Sequence, residues 1–272
     1  MAEPFSVLLS VYKKEQPAYL RECLDSLFTQ TLMPDEIVLV KDGPLTDELD
    51  RTIDEYVQLH PEMKVVALPQ NRGLGCALNE GLKHCSFSLV ARMDTDDIAK
   101  PERFEKQIRV FAEHPEVDVC SAWIEEFYED TSRVVSVKKL PELHPEILRY
   151  ARKRCPVNHP ATVFRKEKVL EAGGYPPIPM YEDYGLWVRM LARGCRFYNL
   201  PESVLYFRTS PDTFKRRGGW EYVKKEINLL NYMREIGFIS TPVFCQNVAI
   251  RLVVRLMPNS IRGFIYKHLL RK

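Results

Sequence analysis

The chain has 272 residues, 45% of them hydrophobic and 28% charged. That balance excludes a disordered polymer and allows one large α/β domain, or a domain of about 200 residues with a C-terminal appendage. A formal charge of +2 is too mild for nucleic-acid binding by the whole protein. The opening residues carry neither a charged n-region nor an apolar h-region. With no apolar run of about 18 residues either, no signal peptide or spanning helix is expected and the protein reads as cytoplasmic.

In chain order, Phe5 to Val11 reads as a strand and Ala18 to Gln30 as a helix, with Leu20, Cys23, Leu24, Leu27 and Phe28 forming one apolar stripe. The alternation repeats: strand 36–40 and helix 47–59, strand 64–68 and helix 73–85, strand 88–93 and helix 101–113. Near-continuous apolar strands between helices are those of a mostly parallel sheet covered on both faces, a Rossmann-like α/β core. Strands are expected at 117–123 and 133–138, around the polar stretch Glu125 to Asp130. Helices follow at 145–154, 166–173 and 183–193, short strands at 196–200 and 203–208, and helices at 220–236 and 242–257. Cys23, Cys76, Cys85, Cys120, Cys155, Cys195 and Cys245 show no zinc spacing and read as reduced, mostly buried thiols.

Ligands of such sheets bind beyond the carboxyl ends of the strands. The residues to read are therefore Ser10-Val11-Tyr12, Lys41-Asp42-Gly43 and Asp94-Thr95-Asp96-Asp97. Three carboxylates directly after an apolar strand fit a hard divalent cation, Mg²⁺ or Mn²⁺, or else the N-terminus of the following helix. Asp42 is either a turn residue or an acceptor for a base or ribose group. Asn71 to Gly81 holds GxG without GxGxxG and follows the third strand, which argues against a dinucleotide fingerprint. Glu182-Asp183 opens a helix after a Gly/Pro-rich turn, as a cap or as the site of a general base. His159 is a structural histidine or an acceptor-side residue, and Arg208, Arg216 and Arg217 are surface charges or diphosphate ligands.

Together these segments resemble glycosyltransferase family 2. The likeness is carried by Ser10-Val11-Tyr12, Val40-Lys41-Asp42-Gly43, Asn71-Arg72-Gly73-Leu74-Gly75 with Asn79 and Gly81, and Ala91 to Asp97. It continues through Pro101-Glu102-Arg103-Phe104 with Gln107, His159-Pro160-Ala161, Gly173-Gly174-Tyr175, Glu182-Asp183 and Leu186-Trp187-Val188-Arg189. The resemblance, over roughly residues 4–218, implies a GT-A fold. It also implies an inverting transfer from a nucleotide sugar, UDP-linked by preference, to a glycan or lipid-linked glycan.

By the same resemblance Asp42 contacts the base, Asp94 lies near the ribose, Ser10, Tyr12, Arg72 and Arg208 line the donor site, and Asp96, with Asp97 beside it, holds the metal. Asp183 becomes the base, with His159, Glu182 and Trp187 on the acceptor side. Many members carry Arg-x-His near the last core strand; Arg208-Thr209-Ser210 puts Ser there, one metal ligand fewer.

The expected organisation is a nucleotide-binding half at 1–115, an acceptor half at 116–218 and a basic helical extension at 219–272. No Asp or Glu follows Glu235, whereas Arg251, Arg255, Arg262, Lys267, Arg271 and Lys272 do. Residues 245–272 thus suit an anionic membrane surface on the inner leaflet, or an ordinary packing helix with a basic side. Two other functions remain open from the residues. A sugar-nucleotide nucleotidyltransferase would show a Gly-rich loop after the first strand, where Tyr12-Lys13-Lys14-Glu15 has none. A non-catalytic binding module would not need the intact acidic run.

Overall fold

A computed structural model describes residues 2–210 and 219–256, of which 254–256 are described by backbone alone. The elements run β1 (Phe5–Val11), α1 (Pro17–Leu27), β2 (Glu36–Lys41), α2 (Asp47–Leu59), β3 (Met63–Ala67), α3 (Leu74–His84), β4 (Leu89–Arg92), β5 (Ile98–Ala99) and α4 (Arg103–Glu113). They continue with β6 (Val119–Phe127), β7 (Val134–Lys138), α5 (His144–Ala151), a 3₁₀ turn (His159–Ala161), β8 (Val163–Arg165), α6 (Lys166–Glu171), α7 (Glu182–Ala192) and β9 (Phe197–Arg208). The last two are α8 (Trp220–Glu235) and α9 (Thr241–Leu256).

One nine-stranded sheet has the order β3-β2-β1-β4-β8-β6-β9-β5, with β7 also on β6. The first four strands pair in parallel. Successive side chains alternate between two cores, as a two-residue period demands. Val7, Leu9, Ile37 and Leu39 join Leu20, Leu24 and Phe104 on one face, while Leu8, Val38 and Val40 join Ala77, Leu82 and Trp187 on the other. Helix α3 lies so close that a Cβ at Gly81 would stand 2.4 Å from Leu8 Cδ1, a distance that only glycine permits.

The second half is where the expectations needed correction. Strand β8 is three residues long and antiparallel to both β4 and β6, too short to leave a periodic signal. Two antiparallel steps restore direction, so β6 and the parallel β9 point the same way as β1 to β4. Their ends, Phe127 and Arg208, therefore arrive at the same rim as Asp42 and Asp94. The two strands expected at 196–200 and 203–208 are one, β9, with Pro201 and Glu202 bulged out between the pairs Ala122–Leu200 and Trp123–Ser203. A bulge is where a sheet tolerates proline. Likewise β6 runs on through Glu125 and Glu126, held by Lys100 Nζ on Glu125 at 2.8 Å and by pairing to β7.

All seven cysteines are free, but Cys76 and Cys245 are exposed, so the expected burial holds for only part of the set. Among the described residues no helix is long and apolar enough to cross a membrane. Helix α8 packs on α7 through a cluster of Tyr184, Val188, Leu229, Leu230, Met233 and Ile239, against which Val243, Phe244 and Val248 of α9 also pack.

Candidate active site

Strand β4 ends at Arg92, and the chain then turns through Asp94, Thr95, Asp96 and Asp97 before β5. Carboxylate oxygens of Asp94, Asp96 and Asp97 all lie within 4.8 Å of one another, close to the span of about 4.2 Å between opposite oxygen ligands on a small cation. Helix α4 starts only at Arg103, with Glu105 its one acidic first-turn residue, so the acidic run caps no helix. Asp97 is fully buried, and while its Oδ1 accepts the Arg208 N–H at 2.9 Å, its Oδ2 meets no donor among the described residues.

Burial, then Asp94 and Glu15, push the Asp96 carboxyl up to about 7, and burial with Asp96 and Asp94 raises Asp97 well above the carboxylate range. Like charges this close disfavour ionisation of one another. A divalent cation would satisfy the orphaned oxygen and return both groups to their ionised form, so these residues fit one.

Two buried arginines lie against the loop; both fall in segments that carry the family likeness, which gave neither a role. Arg92, 1% exposed, bonds Asp94 with Nη2, while its Nε and Nη1 have no partner among the described residues. Arg103 donates to the Arg92 carbonyl at 2.6 Å and to Gln107 Oε1 at 3.1 Å, and burial lowers its pKa to about 9 against the opposing pull of Asp97. Gln107 in turn donates to the Ala161 carbonyl at 2.9 Å, tying α4 to the His159 turn. Their signal was an arginine ending a buried strand and another opening a helix, both positions where an unpaired cation is costly.

The remaining expected donor residues divide by environment. Tyr12, 45% exposed, and Arg72 are open to solvent, and Ser10 is half-buried. Asp42 is buried, and its carboxylate accepts the N–H groups of Arg72 at 2.7 Å and Gly73 at 3.0 Å, so it organises the entry to α3. Arg208 is sandwiched between the Tyr19 and Phe127 rings, donates from Nε to the Asp96 carbonyl at 2.8 Å, and pairs with Glu22. It holds the acidic loop from behind. Ser210 is described; Arg216 and Arg217 lie outside the described residues.

On the other side, α7 begins at Glu182 with Tyr181 at its N-cap position and no side-chain cap. Asp183 is therefore not the cap. Burial raises its carboxyl, and a Tyr184 backbone bond, then Arg92 and Lys138, pull it part of the way back. Arg92 acts in the same sense on Glu182, which burial also raises. Arg92 thus acts on carboxylates of both sides. Glu182 stands over the start of α3, 3.1 Å from where a Gly75 Cβ would lie.

The loop before it is fastened to α3 by Asn79, which receives the Tyr175 N–H at 2.8 Å and donates to the Tyr175 carbonyl at 2.9 Å. Gly174 has φ +68°, and a Cβ there would stand 2.3 Å from Asn79 Oδ1, which explains glycine at that position. His159 is buried, bonded to the Tyr175 hydroxyl at 3.0 Å, and kept neutral by burial and then Arg92. Trp187 is fully buried, 5.9 Å from the His159 ring. Neither side chain opens to solvent; both support the loop and helix that carry Glu182 and Asp183.

Known proteins resemble this chain in sequence and fold. Residues 6–174 fit the Glycosyl transferase family 2 profile. The chain is 39% identical over 268 residues to the UDP-Gal:alpha-D-GlcNAc-diphosphoundecaprenol beta-1,3-galactosyltransferase of Escherichia coli, covering 98% of this chain and 97% of that one. It is 43% identical over 266 residues to the amylovoran biosynthesis glycosyltransferase AmsE of Erwinia amylovora, covering 97% and 98%. Among solved structures, S. aureus TarS 1-349 with UDP-GlcNAc superposes with a TM-score of 0.69 at 21% identity, over 92% of this chain and 71% of that one. The mannosyltransferase PcManGT from Pyrobaculum calidifontis, in complex with GDP-Man and Mn²⁺, gives 0.65 at 16%, over 100% and 82%. The fold is GT-A, and the chain is a glycosyltransferase that belongs to glycosyl transferase family 2.

Proposed function

We propose that the protein moves a hexose or N-acetylhexosamine from a UDP-sugar to a hydroxyl of a lipid-linked glycan, with inversion at the anomeric carbon. The observation that carries this reading is the pair of acidic centres, Asp94 to Asp97 and Asp183, acted on by one buried cation, Arg92. Relatives support the substrate classes: one is named for UDP-Gal and a diphosphoundecaprenol acceptor, another for amylovoran biosynthesis.

Residues 1–115 bind the donor through Ser10, Tyr12, Asp42, Arg72, Asp94 and Asp96, joined by Arg208 from the second half, and residues 116–218 receive the acceptor beside Glu182. Asp96 and Asp97 hold Mn²⁺ or Mg²⁺, which when bound supplies positive charge against the diphosphate leaving group. Asp183 takes the proton of the attacking hydroxyl. As the new bond to the anomeric carbon forms, the bond to phosphate breaks, and its electron pair leaves with UDP. Burial of Asp183 raises its proton affinity, which favours this transfer. The work takes place at the cytoplasmic face of the cell membrane, where 245–272, of which 257–272 lie outside the described residues, meets anionic lipid.

The test is turnover of UDP-, GDP- and dTDP-sugars with Mn²⁺ or Mg²⁺ and a glycosyl-diphosphate lipid acceptor. Release of UDP, with a product of inverted anomeric configuration, is expected. Turnover of only GDP- or dTDP-sugars would remove the UDP assignment, and retained configuration would remove the single-displacement mechanism.

A further inference from the structure

The two C-terminal helices treat solvent differently. Helix α8 exposes Glu221, Lys224, Arg234 and Glu235, as a surface helix ordinarily does. The exposed positions of α9 between Thr241 and Val253 include Pro242, Cys245, Gln246, Ala249, Ile250 and Val253, and none is charged. Ile250 and Val253 stand 51% and 57% open. The one cation of that stretch, Arg251, is turned inward, bonded to the buried Glu226 and to the Lys153 carbonyl at 3.0 Å. A charge-free outer face is expected where something other than water covers it.

Geometry puts that face near the acceptor side. The Glu226–Arg251 pair matches residues at nearly equal distances from the connecting turn at 236–240, so α8 and α9 are antiparallel. The exposed Trp220, 54% open, is therefore level with the end of α9. Beside it, Tyr222 packs edge-on against Tyr181 at 6.2 Å, and Lys225 reaches Met180 Sδ at 3.2 Å. Tyr181 precedes Glu182 and Asp183 directly. The open end of the hairpin thus flanks the loop that carries the proposed base.

We propose that the uncharged outer face of α9 lies on an anionic lipid surface, with Trp220 as an interfacial anchor, so that a lipid-linked acceptor emerges beside Glu182 and Asp183. This rests on the membrane reading above and names the surface that performs it. Lipid is favoured over a second copy of the chain by charge. The sequence beyond Val253, whose side chains lie outside the described residues, carries Arg255, Arg262, Lys267, Arg271 and Lys272 and no acid; acidic headgroups complement that charge, whereas a second copy carries the same sign. Tryptophan at a boundary between apolar and polar phases, beside aliphatic side chains, fits an interfacial helix.

The experiment is co-sedimentation of the full chain with phosphatidylglycerol/phosphatidylethanolamine vesicles, and with phosphatidylcholine vesicles as the neutral control. The double variant Ile250→Asp/Val253→Asp is compared with wild type. Ile250→Gln/Val253→Gln serves as the milder pair if aspartate near the helix C-terminus lowers the melting temperature. Wild type is expected to sediment with the acidic vesicles, and the variant to lose at least about tenfold in partitioning while keeping its melting temperature and its transfer to a short water-soluble acceptor. Equal binding by both proteins, or binding by neither, overturns the proposal. So does a shift from dimer to monomer in the variant, which would assign the face to a second copy. Transfer activity is read separately, so failure of the vesicle result leaves the sugar-transfer reading standing, and absence of transfer leaves the vesicle result interpretable.

Discussion

Glu36, at the start of β2, and Asp97, just past the end of β4, are both buried carboxylates, at opposite ends of the same sheet. Around Glu36 the protein supplies its own donors: the Ser6 hydroxyl, Lys64, and the hydroxyl and N–H of Ser86. Burial pushes its proton affinity up, and these bonds more than reverse that, bringing it to about 2. Asp97 keeps an oxygen with no donor, and its neighbour Asp96 is pushed up to about 7. A buried charge that the fold itself satisfies holds the fold together. One left unsatisfied beside other acids is a place kept for something that arrives.

Mutation can break that contrast. The largest effect belongs to a third carboxylate: Asp183→Asn is expected to lower kcat about 10³-fold with little change in donor KM, read by steady-state UDP release. Near-normal turnover would end its assignment as base. Because burial raises the Asp183 pKa, the acid limb of the wild-type kcat profile should lie above the ordinary aspartate range, with the rate falling as lower pH protonates the base.

Next comes Asp96→Asn, expected to cost about 10²-fold in transfer. Chelation of wild type should do the same, with Mn²⁺ restoring wild type only. Yet this variant should match or exceed metal-free wild type in melting temperature, because it removes charge repulsion. The sign follows from the raised proton affinity: without metal the native state holds the Asp96 proton more tightly than the unfolded chain does, so the contribution of this group is fully present below the ordinary carboxylate range and is lost as pH rises through about 7. A metal-free melting-temperature advantage of Asp96→Asn over wild type that shrinks between acid and neutral pH would refute this.

Glu36→Gln should invert the pattern, costing about 2–4 kcal/mol in urea unfolding while leaving kcat intact. The sign at Glu36 is opposite to that at Asp96: its lowered pKa makes its contribution complete above the ordinary carboxylate range and progressively lost as pH falls toward about 2. Activity lost in proportion to stability would contradict the division between the two ends of the sheet. The smallest effect is Gly174→Ala, about 1–3 kcal/mol from a strained φ and a clash with Asn79. It should come with a fall in kcat larger than any rise in donor KM, since the loop it disturbs leads to Asp183.

Legibility differed between the two halves of the sheet for a physical reason. In β1 to β4 each strand is followed by the helix that covers it, so hydrophobic period and turn chemistry are local and place Asp42 and Asp94 to Asp97 on one rim. Strands β5 and β8, of two and three residues, exist only through partners far along the chain. The path that returns Arg208 to Asp96 crosses 112 residues, and no periodicity encodes it. The support of the site was hidden in the same way: Arg92 and Arg103 looked like ordinary arginines beside the acidic run, although both are buried and Arg92 acts on carboxylates of both sides.

The residues by themselves determined the α/β class, the parallel first half, the acidic run at a strand end and the family, because each depends on neighbours in the chain or on motif order. Tertiary structure alone decided what those residues do to one another. Asp42 is engaged by the backbone of Arg72 and Gly73, Trp187 and His159 support the Asp183 loop from within the core, and one oxygen of Asp97 is left without a donor. Proton affinity and charge balance depend on burial and on groups brought together from distant segments, and those are properties of the packed chain.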